Sequence, residues 1–349
     1  MRTVKVNASS NYDVIIGKGL LDSIGQYVKD TVGVHRVCIV TDDTVDSLYG
    51  KRAETSLASH GFRCIKFVIP HGEVSKNTQN LVALVEYMAE NRLTRSDLVI
   101  ALGGGVVGDL AGFAASVYLR GIRYVQIPTT LLSAVDSSVG GKTAVDLNAG
   151  KNLMGAFHQP SLVICDYETL NTLPKETFAE GCAEVIKYGV INDRTLFDSL
   201  KSGIRDNIEE IIAQCVIHKA DIVAKDEFDN GCRQLLNLGH TVGHAVELCS
   251  SLEISHGNAV AIGMAIVTKS AVGMGLCPEG DLAELLDMLN AEGLPTRCDF
   301  SAKELTQVAT ADKKRSGDTV SVIIPYGIGN CKAVKISVDE LEDFISKGL

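Results

Sequence analysis

The sequence has no tryptophan, no Cys-x-x-Cys pair and no apolar run near the roughly 20 residues that span a bilayer. Without that pairing, the ten cysteines, spread from Cys38 to Cys331, supply neither a zinc ribbon nor a thioredoxin-like motif. They read as reduced, buried, small apolar residues. The opening MRTVKVNASSNYDVIIGKG lacks the apolar core of a signal peptide, so the expected location is cytoplasmic, with no membrane partner. Basic residues are outnumbered, 33 Lys and Arg against 43 Asp and Glu, for a formal net charge of −10. That excludes the basic footprint of a nucleic-acid surface. It leaves room for a small anionic ligand gripped by a local cluster of cations. There is no internal repeat and no low-complexity linker.

What is present is a 349-residue chain, 46% hydrophobic, with material for two cores. In the first half short β-rich runs (RVCIVTD, RCIKFVIP, DLVIALGG, YVQIPTT, SLVICDY) alternate with helical patterns such as NTQNLVALVEYMAENRL. After TLPKE the pattern becomes successive helices: FAEGCAEVIKYGVI, NIEEIIAQCVIHKADIVAKDE, CRQLLNLGHTVGHAVELCS, GNAVAIGMAIVTKSAVGMG and GDLAELLDMLNAEG. Two late β-like runs, TVSVIIP and CKAVKIS, precede a last helix. The expected class is α/β: a Rossmann-like, mostly parallel sheet domain over 1–172, then a mainly α-helical domain over 173–349.

DLVIALGGGVVGDLAGF runs from a strand through glycines into a helix, and Gly103, Gly105 and Gly108 fit G-x-G-x-x-G. Glycines let backbone N–H groups approach a pyrophosphate at a helix N-terminus. The usual acidic residue about 20 positions later is missing, because 118–128 holds no Asp or Glu. Asp42, ending the earlier strand IVTDD, is the better candidate for a ribose hydroxyl. If a dinucleotide binds, the strand order must differ from the common one.

PTTLLSAVDSSVGGKTAVDLNAGKN (128–152) gathers small hydroxyls, paired glycines and lysines. Such groups suit phosphate contact through backbone and ammonium donors. The upstream glycine spacing is wrong for a Walker A loop. In the helical half, Glu184 precedes Lys187 by three residues, and His240, His244 and His256 lie close together. A carboxylate with two histidines is a common catalytic zinc set with a position left open. Spacing alone favours the i,i+4 pair His240 and His244 as ligands, and does not say which histidine is spared. Arg233 and Asn237 fall seven and three residues before His240, near the same helical face; with Lys219 upstream they supply local positive charge.

These segments together (GGGVVGDLAGFAAS-YLRG, PTTLLSAVDSSVGGKTAVDL–GKN, AEVIKYG, LNLGHTVGHAVE, HG-AVAIGM) resemble the 3-dehydroquinate synthase family over nearly the whole chain. The resemblance implies a metal, zinc or cobalt, held by Glu184, His240 and His256, which leaves His244 on the substrate side. It implies substrate contacts from Lys142, Lys151, Asn152, Lys187, Lys219, Arg233 and Asn237, with Arg120, Asp136 and Lys313 as further active-site residues. It implies NAD contacts from Asp42, Glu73, Lys76, Gly105, Val106, Asp109, Thr129, Thr130 and Thr172, with Lys142 and Lys151 close by. Three positions depart from the family pattern: Thr44 for Asn, Leu238 for Phe and Asn258 for Glu. The implied substrate is the anionic sugar phosphate 3-deoxy-D-arabino-heptulosonate 7-phosphate. It is oxidised transiently by NAD, loses phosphate by β-elimination, is re-reduced and closes by an intramolecular aldol step to 3-dehydroquinate. A homodimer is common in the family. The rival readings are a cyclase for a carboxylate-free sugar phosphate, a metal-dependent polyol dehydrogenase and a non-catalytic NAD-binding protein.

Overall fold

A computed structural model describes residues 1–33, 35–251, 253–311 and 318–349. Lys313 lies outside the described residues. The chain divides into two compact units, Met1–Leu173 with Ile212–Phe228, and Pro174–Ile211 with Asp229–Leu349.

The first unit holds strands β1 (Arg2–Val6), β2 (Tyr12–Gly17), β3 (Arg36–Asp42), β4 (Arg63–Ile69), β5 (Leu98–Gly103), β6 (Arg123–Pro128), β7 (Lys142–Leu147), β8 (Gly150–Phe157) and β9 (Leu162–Asp166). Seven of them form one sheet in the order β1-β2-β9-β6-β5-β3-β4. Every pairing is parallel except that of β1 with β2. The five runs named from the sequence are the parallel strands β3, β4, β5, β6 and β9. β3, β5, β6 and β9 were legible because the inner strands of a parallel sheet are covered on both faces and read as near-continuous apolar runs; β4, at the sheet edge, is only partly buried. Side-chain alternation sorts them into two cores: Cys38, Val40, Val99 and Ala101 on one face, Val37, Ile39, Leu98, Ile100 and Leu102 on the other.

β5 lies between β3 and β6, with Thr41 opposite Leu102 and Gly103 opposite Pro128. The chain runs outward from β3 to β4, then returns to the other side of β3 for β5. The carboxyl ends of β3, β5 and β6 therefore flank a point where strand order reverses, the usual ligand position in such sheets. This order explains why the acidic Asp42 precedes the glycines in sequence rather than following them.

Three features differ from expectation. The polar run 128–152 is a short helical turn over Ser133–Ser137 followed by the antiparallel hairpin β7–β8. The run CRQLLNLGHTVGHAVELCS is not one helix: a tight turn over Cys232–Asn237 ends before Gly239 (φ 78°), and a helix follows at His240–Cys249. Residues Ile212–Phe228 go with the first unit rather than the C-terminal domain. The reason is local packing: Lys219 Nζ donates to Asp136 O at 2.7 Å, Gln159 Nε2 donates to Glu227 at 2.8 Å, and the rings of Phe157 and Phe228 meet edge to face at 5.3 Å.

The second unit is mainly helical, with helices Lys175–Asn192, His240–Cys249, His256–Gly273, Glu279–Ala291 and Val338–Ser346. It carries the hairpin β10 (Thr319–Pro325) and β11 (Cys331–Ser337). Its core joins Val242, Val246, Ile262, Ile266, Val320, Val322, Leu341 and Phe344. No helix among the described residues is long and apolar enough to cross a membrane.

No cysteine among the described residues is in a disulfide, and most are buried or half-buried. Burial pushes the Cys38 and Cys331 thiols up to about 12 and the Cys64 and Cys277 thiols up to about 11. Cys232 is exposed. Iodoacetamide at neutral pH is therefore expected to alkylate Cys232 at least about tenfold faster than Cys38 or Cys331, read by peptide mass spectrometry. Equal labelling would mean that burial does not control these thiols.

Candidate active site

In the first unit, β5 ends in Gly103 and a helix starts at Gly105, presenting its free N–H groups beyond the carboxyl end of the sheet. The glycines are needed for packing here. A Cβ on Gly103 would lie 2.7 Å from Val107 Cβ, and one on Gly108 would lie 2.7 Å from Gln126 Oε1. Val106 is half-buried in the first turn of that helix. On β3, Asp42 Oδ1 accepts from Val45 N at 2.8 Å, and burial raises its carboxyl above the usual range. After β6, Thr129 N donates to Gly103 O at 3.0 Å, while its buried hydroxyl has no hydrogen-bond partner among the described residues. Thr130 Oγ1 pairs with Ser133 Oγ at 2.8 Å, and Thr172 Oγ1 with Tyr49 OH at 2.5 Å.

A second group gathers around Lys76, which is 5% exposed. Its ammonium is 3.0 Å from Asp109 and 3.4 Å from Glu73, and Lys151 lies 3.9 Å from Glu73. Burial opposes the charge on Lys76, but the carboxylates of Asp109 and Glu73 outweigh it and hold the ammonium up at about 12. The Lys76 carbonyl accepts from Asp146 N at 2.8 Å. Asp146 Oδ1 in turn accepts from Asn152 N at 2.7 Å, where the backbone is left-handed (φ 57°). A positive φ on a non-glycine residue costs of order 1–3 kcal/mol and clusters at functional sites. Thus Glu73, Lys76, Asp109, Lys151 and Asn152 form one network, with Asp146 as a member absent from the sequence reading. Lys142 starts β7 after Gly140 (φ 95°) and Gly141 (φ 70°), and Gly140 N is fixed by Tyr12 OH at 2.9 Å. The buried Lys219 ion-pairs with the Asp136 carboxylate.

Arg120 is not brought to this group. It follows a 13-residue helix whose N-terminus is Gly105, so about 20 Å of helix separates the two ends. It is exposed, and Leu119 and Arg120 both have positive φ (50° and 69°). Within this unit Arg120 stands at the opposite end of the sheet from the glycine turn.

In the second unit, three helices converge. Glu184 sits mid-way along Lys175–Asn192, 1% exposed, in ion-pair contact with the equally buried Lys187 one turn on. His240 and His256 each open a helix. Their Nε2 atoms lie 3.6 and 3.5 Å from Glu184 Oε1. One ligand atom from each of Glu184, His240 and His256 falls within 4.8 Å of the others. Glycines permit this approach: a Cβ on Gly263 would meet Gly239 O at 2.0 Å, and one on Gly257 would meet Glu180 Cα at 2.4 Å. His240 Nδ1 faces Leu238 O at 3.1 Å. Burial, and then the Lys187 charge, press the His240 imidazole down to about 3 against Glu184. At His256 burial again opposes the charge, but the carboxylates of Glu184 and Glu247 outweigh it and hold the imidazole up at about 9; a metal takes the neutral form of either ring.

His244 is exposed, its ring 5.4 Å from that of His240 and 5.9 Å from that of His256. It is not in the group with Glu184 and groups instead with Glu247 and His256. The i,i+4 pairing suggested by spacing is thus replaced by a pairing across two helices. Arg233 is buried and Asn237 exposed, both on the turn before Gly239. The left-handed Gly239 takes them off the helical face that spacing had assigned. Glu247, three residues after His244, is a further member of the His244 group, and its i+7 relation to His240 is a readable signal in the sequence.

Residues 66–180 match the family description "3-dehydroquinate synthase N-terminal" and residues 181–315 match "3-dehydroquinate synthase C-terminal". The 3-dehydroquinate synthase of Clostridium acetobutylicum is 41% identical over 99% of both chains. That of Enterococcus faecalis is 44% identical over 97% of this chain and 96% of its own. Among solved structures, 2-epi-5-epi-valiolone synthase from Streptomyces hygroscopicus, with NAD+ and Zn2+ bound, superposes with a TM-score of 0.87 at 31% identity, covering 99% of this chain and 98% of its own. With matches of this length across both units, the chain belongs to the 3-dehydroquinate synthase family.

Proposed function

We propose that the chain converts 3-deoxy-D-arabino-heptulosonate 7-phosphate to 3-dehydroquinate and phosphate, using NAD and one divalent metal. The observation that carries this reading is the convergence of Glu184, His240 and His256 in a chain whose full-length relatives are 3-dehydroquinate synthases. One carboxylate and two imidazoles are a donor set that suits zinc or cobalt and leaves a coordination position open. The open helix N-terminus at Gly105, the buried hydroxyl of Thr129 and the acidic Asp42 suit a dinucleotide. When bound, NAD would take up and return a hydride, and the metal would polarise substrate oxygens.

The chain's own residues supply the rest. Arg233 offers a planar fork to the substrate carboxylate, a group the carboxylate-free rival would not present. Lys142 and Lys151 offer ammonium donors to phosphate, and Asn152 follows Lys151 on the same strand with a left-handed backbone. Asp136 orients Lys219. Lys187, against Glu184, and His244, beside the His240 ring, serve as proton carriers. Val106 and Thr172 complete the NAD assignment, and Glu73, Lys76 and Asp109 hold the charge around it. A cytoplasmic homodimer belongs to the same reading.

Phosphate release from the heptulosonate phosphate, with zinc and only catalytic NAD, is the test. Many phosphates per NAD with no accumulating NADH is the expected result. Stoichiometric NADH from a simple polyol, without phosphate release, would move the protein to the dehydrogenase reading. Faster turnover of a carboxylate-free heptulose phosphate would move it to the other cyclase.

A further inference from the structure

Glu247 is 3% exposed, a carboxylate buried without a part in the chemistry above. It lies on the helix His240–Cys249, on the face shared by His240 and His244. Its Oε2 is 3.4 Å from His256 Nδ1, while the opposite ring nitrogen, Nε2, is 3.5 Å from Glu184 Oε1. His240 is held the same way, Nδ1 towards the Leu238 carbonyl and Nε2 towards Glu184. Both imidazoles therefore turn the same nitrogen to Glu184 and have an acceptor behind the other. For His240 the acceptor is a neutral backbone carbonyl. For His256 it is a carboxylate.

We propose that Glu247 is a positioning residue for the metal. It accepts the Nδ1–H of His256, fixes the tautomer that leaves Nε2 as donor, and strengthens that donor through its charge. The inference rests on the assignment of Glu184, His240 and His256 as ligands. A partner behind a metal-bound imidazole orients the ring and raises its basicity, and its loss costs 10–100-fold in metal affinity. The alternative use of Glu247, as a ligand to a second ion with His244 and His256, requires both nitrogens of one imidazole to bind metal. That means stripping the second ring proton next to a buried carboxylate, which electrostatics opposes.

The test is zinc affinity of the full chain by chelator competition, with the absorption spectrum of the cobalt-loaded protein as a second readout. Glu247→Ala is expected to weaken zinc by about 10–100-fold and to change the cobalt ligand-field bands. Glu247→Gln keeps the size and a carbonyl acceptor, so it should retain the fold and fall between the wild type and Glu247→Ala. NAD affinity should be unchanged in both. Wild-type zinc affinity and cobalt spectrum in Glu247→Ala overturn the proposal, as does Glu247→Gln binding as weakly as Glu247→Ala, or two tightly bound ions per wild-type chain. His256→Ala separates the layers: if it keeps zinc, the ligand assignment itself fails; if it loses zinc while Glu247→Ala does not, only the role of Glu247 fails.

Discussion

His256→Ala is expected to lose its divalent metal and its activity, whereas His244→Ala keeps the metal and turns over slowly. The two histidines are equally plausible in sequence, and a helix-spacing argument prefers His244. The geometry reverses the preference. His256 Nε2 is 3.5 Å from Glu184 Oε1 and shares a 4.8 Å cluster with Glu184 and His240, while His244 does not enter that cluster. Removing one of three protein ligands leaves two, too few for a catalytic site that must also keep an open position. The metal is asked for several kcal/mol of charge stabilisation, so its loss lowers kcat/KM by about a thousandfold or more. His244 is exposed beside the cluster, where a proton carrier belongs, and losing one costs about a hundredfold or more. Metal content per chain, measured on both purified variants after dialysis, decides the matter. Equal loss of metal in both would restore the His240–His244 pairing.

The parts legible in the sequence were those with a strong period or composition. The strands β3, β5, β6 and β9 are mostly apolar and buried along nearly their whole length, and the helix Thr78–Glu90 carries its own cap, Asn77 Oδ1 accepting from Asn80 N at 2.8 Å. The hairpin β7–β8 was not legible, because β8 exposes side chains such as Leu153, Met154 and Phe157 and shows no half-buried alternation. Its flanking glycines and lysines read instead as groups for phosphate contact. The break at Gly239 was missed because one left-handed residue leaves the hydrophobic pattern intact on both sides. The placement of Arg120 follows from helix length, which a motif match ignores. Convergence of Glu184 with His240 and His256 is a tertiary fact, set by how closely three helices pack, and neither spacing nor period carries it.

That close packing makes Gly263 the most sensitive small position in the second unit. Gly263→Ala exchanges glycine for the best helix former inside Gly263's helix, His256–Gly273, which on propensity alone would stabilise by about 1 kcal/mol. Space decides otherwise. The added Cβ would lie 2.0 Å from Gly239 O and 2.9 Å from Gly243 N, both backbone atoms of the neighbouring helix entry. A side chain could swing aside; a backbone carbonyl at a left-handed turn moves only if the helices separate. Overpacking of this kind costs about 1–3 kcal/mol or more, which exceeds the propensity gain. The melting temperature is then expected to fall by about 2–8 °C. Gly239 directly precedes His240, and His256 opens the helix that carries Gly263, so the separation acts on the two imidazoles themselves. Metal affinity should drop together with stability, although residue 263 is no ligand. Gly280→Ala supplies the opposite case: it also lies in a helix, Glu279–Ala291, but nothing stands within 4 Å of its added Cβ. There propensity acts unopposed, and the melting temperature should hold or rise. Thermal melts of both variants, with and without zinc, separate the two effects. A Gly263→Ala protein as stable as the parent, with parental zinc affinity, would mean that the helices are not held at the spacing that brings Glu184, His240 and His256 together.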